Sequence, residues 1–161
     1  MSPSTTSLPP ELPMSPTLNG PVLIIGSGLL GASIGLGLHA AGYEDVYVQD
    51  ISPTAEAVAQ DIGAGTSFSS LTEDQRARFE PQLVVVAAPP DVAGTVCAQA
   101  LRAYGPRPET GYPGATVTDV ASVKVRPLAD VLASGADASR YVGSHPMAGR
   151  EKSGPVAARG E

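Results

Sequence analysis

The chain has 161 residues, 42% of them hydrophobic, which is enough for one ordinary domain with a buried core. A net charge of -6 and a sequence pI near 4.8 argue against a nucleic-acid partner, because phosphate backbones attract clustered Lys and Arg. Cys97 is the single cysteine, which excludes an internal disulfide and a cysteine metal cluster and favours the reducing cytoplasm as the compartment.

The composition of residues 1–20 predicts a disordered, Pro/Ser-rich tail. They contain five prolines, many Ser and Thr, and a single charge at Glu11, so they bury too little apolar surface to fold. They also lack the basic start and the apolar run of a secretory signal. Because no later stretch approaches the roughly 20 consecutive apolar residues of a membrane span, no membrane partner is expected.

From Pro21 onward, short β-branched apolar runs alternate with longer stretches of small residues, a pattern typical of βαβ units and a parallel sheet. The runs are unbroken rather than alternating, which suits strands covered on both faces. Strands are predicted at 22–25, 46–48, 83–86 and 115–118, with a weaker candidate at 141–143. Helices are predicted over 29–41, 53–62, 91–104 and 126–133. Within the stretch 64–80, a short strand is predicted at 66–68, followed by a helix from Thr72.

A glycine-rich loop follows the first strand and opens the first helix, with the sequence Gly26-Ser27-Gly28-Leu29-Leu30-Gly31. In a dinucleotide-binding fold, Gly26 makes the tight turn, Gly28 lets a pyrophosphate approach the backbone, and Gly31 allows close packing of helix on strand. The helix N-terminus supplies amides and positive dipole to the phosphates. A glycine-rich loop without a ligand is the alternative. The pattern predicts an α/β Rossmann-type, doubly wound and mostly parallel sheet with helices on both faces.

Asp50 ends the second strand, 24 residues beyond Gly26, where a carboxylate can accept hydrogen bonds from the adenosine ribose. It would repel a 2′-phosphate, and no Arg or Lys follows it directly, so NAD is the expected cofactor rather than NADP. Alternatively, Asp50 caps the next helix, a role that does not exclude the first.

The strand at 83–86 ends in Ala87, Ala88, Pro89 and Pro90. Ligands of open α/β sheets bind outside the carboxyl ends of the strands, so Ala87, Ala88 and Pro89 are predicted to line the cofactor site. A helix started by proline is the alternative.

The chemical residues are expected in two later loops at the same edge of the sheet. One loop covers 119–124, and the other is Gly143-Ser144-His145-Pro146-Met147-Ala148-Gly149. With an ordinary pKa of about 6.5, the imidazole of His145 can accept a proton from an alcohol while an oxidised nicotinamide takes the hydride. Alternatively, His145 is a satisfied histidine at a strand end and Ser122 a turn or cap residue.

In their order and spacing, the glycine loop, residues 119–124 and residues 145–149 resemble the amino-terminal half of prephenate and arogenate dehydrogenases of tyrosine biosynthesis, from about Pro21 to Ala158. The resemblance implies oxidative decarboxylation of prephenate by NAD to 4-hydroxyphenylpyruvate. In the family, the matching histidine accepts the hydroxyl proton and the matching serine hydrogen-bonds near that histidine and the nicotinamide. These roles fall on His145 and Ser122, and Ser122 is expected to contact the cofactor as well.

Members of that family are longer, with a mostly helical carboxyl-terminal domain that builds a homodimer and clamps the substrate carboxylates. Residues 21–161 are therefore expected to be a dinucleotide-binding domain truncated at its carboxyl-terminal end and inactive by itself. Two alternatives stay open, an arogenate dehydrogenase and a stand-alone NAD-binding module without catalysis. Four cations either attract a dicarboxylate or are solvated surface charges, namely Lys124, Arg126, Arg150 and Lys152.

Overall fold

The computed structural model describes residues 18–146. Within that range the strands are β1 (Val22–Ile25), β2 (Val46–Gln49), β3 (Thr66–Ser67), β4 (Leu83–Val86), β5 (Thr116–Asp119) and β6 (Tyr141–Gly143). The α-helices of the same range are α1 (Leu29–Ala40), α2 (Pro53–Asp61), α3 (Glu73–Ala77), α4 (Ala93–Ala103) and α5 (Val125–Ser134). Most of the predicted tail, at 1–17, and the motif residues 147–149 lie outside the described residues.

The six strands form one sheet in the order β3-β2-β1-β4-β5-β6. Every neighbouring pair is parallel, so the strand candidate at 141–143 belongs to the sheet. This is the doubly wound order of a Rossmann fold, and it confirms the predicted fold class. The order reverses between β1 and β4, which is where such folds open a crevice for a ligand.

Successive side chains of each strand point to opposite faces and build two cores. On one face, Val22 and Ile24 of β1 pack in a cluster with Ala32 of α1 and residues of α2. On the other face, Leu23 packs in a cluster with Leu101 of α4 and residues of α5. Because both faces are covered, the unbroken apolar runs of the strands are explained.

Element boundaries differ from the predicted ones by one or two residues. The largest change is at α4, which begins at Ala93 because the carbonyl of Pro89 first accepts turn hydrogen bonds from Val92 and Ala93 at 3.1 and 3.0 Å. The α5 helix begins at Val125, one residue early, and so holds Pro127 in its first turn, where no intrahelical N–H bond is lost.

Residues 18–20, assigned to the tail by the sequence, contact the fold. Leu18 packs against the cluster on the α1 face, and the backbone amides of Asn19 and Gly20 donate to Oε1 of Gln82 at 2.6 and 3.0 Å. Between residues 18 and 146, no helix combines the length and apolarity that crossing a membrane requires.

Helices α4 and α5 approach each other closely at Gly94. A Cβ atom on Gly94 would lie 2.6 Å from Cβ of Asp130 and 2.9 Å from Cα of Pro127. We expect Gly94→Ala to lower the free energy of unfolding by roughly 1–3 kcal/mol, because the helices must separate to admit the methyl group. Thermal and urea unfolding followed by circular dichroism measures the change. Gly105→Ala is the matched control, since its Cβ would meet no atom closer than 3.5 Å, and an equal loss in both variants contradicts the argument.

Candidate functional site

All predicted site residues follow the carboxyl ends of strands. Since the strands are parallel, these ends meet at one edge of the sheet, the carboxyl edge. The loops after β1, β2, β4, β5 and β6 carry, in turn, Gly26–Gly31, Asp50, Ala87–Pro89, Ser122 and His145.

Two glycines of the loop after β1 are required by close contacts within the chain. Gly26 has a φ of +100°, and a Cβ atom there would lie 2.4 Å from the carbonyl oxygen of Ala87. A Cβ atom on Gly31 would lie 1.8 Å from the carbonyl oxygen of Gly26. The β1–α1 turn therefore packs directly against the start of the loop after β4, at the crossing where the strand order reverses.

Gly28 differs from Gly26 and Gly31, because no contact among residues 18–146 requires glycine there. It is the N-cap residue of α1 with an ordinary φ of -69°, and a Cβ atom would meet no atom within 4 Å. It gives α1 no side-chain cap. The first amides of a helix have no intrahelical partners and lie at the positive end of its dipole. The space over Gly28 is thus open and suited to an anionic group.

Asp50 ties the glycine loop to the end of β2. Its Oδ2 accepts hydrogen bonds from the backbone N–H and the Oγ of Ser27 at 2.7 and 2.8 Å, and its Oδ1 accepts from the N–H of Ser52 at 2.8 Å. Burial acts to raise the pKa of Asp50, but these bonds outweigh it and leave the pKa below its usual value. Ser52, not Asp50, caps α2, accepting from the N–H of Ala55 at 3.2 Å. At neutral pH the site therefore carries a full negative charge.

Glu56 holds the backbone of Asp50 in place by a hydrogen bond, a role that was not predicted from the sequence. Its side chain, in the first turn of α2, is fully buried and accepts from the backbone N–H groups of Asp50 and Ser69 at 3.0 and 2.8 Å, and from Oγ of Ser67. Burial acts to raise the pKa of Glu56, and the hydrogen bonds outweigh it and lower the pKa. An acidic residue in a first helical turn is common, so the sequence carries no signal for this role.

The loop after β4 lies beside the glycine loop. The N–H of Ala87 donates to the carbonyl of Ile25 at 2.7 Å, and Ala87 and Ala88 are half-buried while Pro89 is exposed. The alternative of a proline-started helix is wrong, because α4 begins three residues after Pro90.

A buried carboxylate, Asp119, organises the end of β5, and it too was missed as a structural centre. Its Oδ1 accepts from the hydroxyl of Tyr141 at 2.5 Å, and its Oδ2 accepts from the N–H of Ala121 at 3.0 Å and forms an ion pair with Nζ of Lys124. Burial, followed by the hydrogen bond to Asp119, raises the pKa of Tyr141. Lys124 is thus neither a free substrate cation nor a solvated surface charge.

Ser122 and His145 are both exposed at the carboxyl edge, in the loops after the neighbouring strands β5 and β6. Parallel strands lie about 4.8 Å apart, so the three spacings from β1 to β6 separate the glycine loop from His145 by about 14 Å along the edge. The glycine loop, Ser122 and His145 therefore lie at the same edge of the sheet, after strands that are separated by at most three spacings.

Comparison with known proteins identifies the family of this chain. A family model described as the nucleotide-binding domain of prephenate dehydrogenase matches residues 34–161. The "Probable prephenate dehydrogenase NovF" of Streptomyces niveus is 38% identical over 139 residues, which cover 86% of this chain and 34% of that protein. A prephenate dehydrogenase of Lactococcus lactis subsp. cremoris is 32% identical over 139 residues, which cover 85% of this chain and 36% of that protein.

Among solved structures, a prephenate dehydrogenase from Aquifex aeolicus in complex with hydroxyphenyl propionate and NAD+ superimposes with a TM-score of 0.68. It is 28% identical, and the match covers 88% of this chain and 46% of that chain. This chain thus spans about a third of the curated relatives and just under half of the solved one. The family model begins after the glycine loop. The match to the Streptomyces niveus protein includes that loop, because 139 matched residues of a 161-residue chain must begin at or before about residue 23. The chain belongs to the prephenate dehydrogenase family and corresponds to its nucleotide-binding domain.

Proposed function

We propose that residues 21–161 bind NAD and form the cofactor-binding part of an NAD-dependent prephenate dehydrogenase, which oxidises and decarboxylates prephenate to 4-hydroxyphenylpyruvate. Family membership supports the reaction class, and the Aquifex aeolicus relative contains NAD+ together with hydroxyphenyl propionate. The observation that carries the cofactor proposal is the open space over Gly28 at the start of α1, next to two glycines that the fold itself requires.

The glycine loop holds the pyrophosphate in this proposal. The backbone amides of Leu29 and Leu30 lie in the first turn of α1, and glycine at position 28 lets the phosphates approach them. Ser27 precedes this turn, and its own N–H donates to Asp50. Asp50 faces the adenosine ribose, and its negative charge disfavours the 2′-phosphate of NADP. Ile51, whose side chain is fully exposed, offers an apolar surface beside that carboxylate.

At the other end of the edge, His145 serves as the general base. When bound, NAD would supply the acceptor for the hydride that leaves the ring carbon bearing the substrate hydroxyl. His145 accepts the hydroxyl proton, and Ser122 orients the reacting groups by hydrogen bonding. Loss of the ring carboxylate as carbon dioxide then yields the aromatic ring.

The remaining contacts of the reaction are assigned to the portion that the longer relatives have and this chain does not match. That portion supplies the homodimer contacts and the groups that bind the substrate carboxylates, and the whole enzyme acts on its small-molecule substrate in the cytoplasm. The 161-residue chain binds NAD but does not turn over prephenate.

Gly28→Ala separates cofactor binding from folding. We expect the free energy of unfolding to change by less than about 1 kcal/mol, because the backbone at residue 28 is ordinary and the methyl group meets no protein atom. We expect NAD affinity, measured by isothermal titration calorimetry, to fall about tenfold or more, which corresponds to about 1.4 kcal/mol. Gly31→Ala is the matched control and should lose stability instead. Wild-type NAD affinity in Gly28→Ala would refute the pyrophosphate assignment.

Asp50→Asn tests the choice between the cofactors. Removing the charge while keeping the shape should bring the ratio of NADP to NAD dissociation constants down by about tenfold, since repulsion of the 2′-phosphate is lost. The ratio is the useful quantity because any loss of stability affects both dissociation constants. Asp61→Asn, an exposed carboxylate at the end of α2, serves as control. An unchanged ratio in Asp50→Asn, or tighter NADP binding by the wild type, contradicts the assignment.

His145→Asn tests the general base in a protein that joins this domain to the carboxyl-terminal portion of a longer relative. We expect turnover, followed by absorbance of the reduced nicotinamide, to fall roughly 10²–10⁴-fold, while the NAD dissociation constant stays unchanged. His39→Asn is the matched control, because His39 lies within α1 with Nδ1 2.9 Å from the carbonyl of Gly35. Undiminished turnover in His145→Asn would exclude the role.

A further inference from the structure

The residue before His145 is held by β5 at its backbone and at its side chain. The N–H of Ser144 donates to the carbonyl oxygen of Asp119 at 3.0 Å, and Oγ of Ser144 donates to the same oxygen at 2.7 Å. Strand β6 has ended at Gly143, so these bonds extend the attachment of the chain to β5 by one residue.

Lys124 completes the attachment from a different element. Its Nζ donates both to Oδ2 of Asp119 and to the carbonyl oxygen of Ser144. An ammonium has three donors and no acceptor, so it can bridge a carboxylate and a carbonyl without leaving either of these acceptors unpaired. The Ser144 carbonyl belongs to the peptide bond that joins Ser144 to His145, so the ammonium contacts the link that carries the imidazole.

The ammonium of Lys124 is held in place by the buried carboxylate of Asp119. The Asp119 side chain is 0% exposed and that of Lys124 is 36% exposed. Burying a carboxylate is costly unless it is paired, which favours keeping Lys124 at this position. Gly143 makes room for the pair, because a Cβ atom there would lie 3.3 Å from Cδ of Lys124 and 3.5 Å from Oδ1 of Asp119.

We propose that Lys124 is a positioning residue for His145, fixing the peptide that leads into the imidazole by bridging Asp119 and the carbonyl of Ser144. Lys124 also lies two residues after Ser122, so the same ammonium ties the loop that bears Ser122 to the segment that bears His145. The link of this device to catalysis rests on the proposed function, whereas the attachment itself does not.

Two variants test the attachment in the 161-residue chain. Lys124→Met removes the ammonium but leaves the buried carboxylate uncompensated, which can unfold the protein. The double variant Asp119→Asn, Lys124→Met removes both charges. It loses the contact of Nζ with the carbonyl of Ser144 but keeps the backbone carbonyl of residue 119, which accepts from Ser144.

Arg126→Met is the matched control, because Arg126 forms a loose surface pair with Asp130 at 3.9 Å. Tyr141→Phe removes a partner of Asp119 that donates to the other carboxylate oxygen.

The readouts are amide hydrogen exchange at Ser144 and the imidazole signals in proton NMR, where His39 is the only other histidine and an internal reference. In the double variant we expect exchange at Ser144 to accelerate on the order of tenfold relative to the core strands, and the His145 signals to move while those of His39 stay. Arg126→Met should change neither, and Tyr141→Phe should lower the melting temperature without moving His145. Unchanged exchange at Ser144 and unchanged His145 signals in the double variant would overturn the proposal.

Addition of NAD distinguishes this proposal from the proposed function. If NAD leaves the His145 signals of the wild-type chain unchanged while the double variant still loses protection at Ser144, the attachment is supported and the catalytic assignment fails. If NAD moves the His145 signals in the wild type and equally in the double variant, Lys124 does not position His145 and the proposed function stands.

Discussion

The parallel sheet is the constraint on which the rest of this structure depends. Because all neighbouring strands run in the same direction, each connection must cross a face of the sheet, and every strand ends at the same edge. Five loops that are far apart in sequence are therefore neighbours at the carboxyl edge. The reversal of strand order between β1 and β4 sends the following helices to opposite faces, and the contact of Gly26 with Ala87 marks the point where the two connections diverge.

The glycines of the first loop show how one short motif combines folding and binding requirements. Gly26 and Gly31 are explained by the chain alone, since any side chain at either position would collide with backbone oxygen atoms. Gly28 is not explained in this way, because its backbone is ordinary and its surroundings are empty. A glycine that is unfavourable in entropy and unnecessary for packing is best explained by a group that approaches from outside the protein. Packing within the chain thus explains Gly26 and Gly31, and the proposed contact with the pyrophosphate accounts for Gly28.

The sequence predicts the strands and helices well because their signals are local. The apolar run at 83–86, the capping Ser52 and the turn glycines each act within a few residues, so the order of elements and the edge on which His145 lies follow directly. The supporting carboxylates were not predicted, because their partners come from other elements. Asp119 meets Tyr141, 22 residues later, only because β5 and β6 pair in a register that sets Asp119 opposite Gly143. An acidic residue ending an apolar strand, with a lysine five residues later, is the signal that could have found this pair.

Two carboxylates at the carboxyl edge, the half-buried Asp50 and the buried Asp119, are stabilised in different ways, and the difference fits the proposed ligands. Asp50 is stabilised by neutral N–H and hydroxyl donors, so its charge remains, and in the proposed function this charge disfavours an additional phosphate on the ribose. Asp119 is paired with the cation of Lys124, so the end of the edge near His145 carries no net charge from this pair. In the proposed function, a dianionic substrate therefore meets no net charge from this pair. Arg126, the next cation along the chain, forms a loose pair with Asp130 on the surface and takes no part in neutralising Asp119.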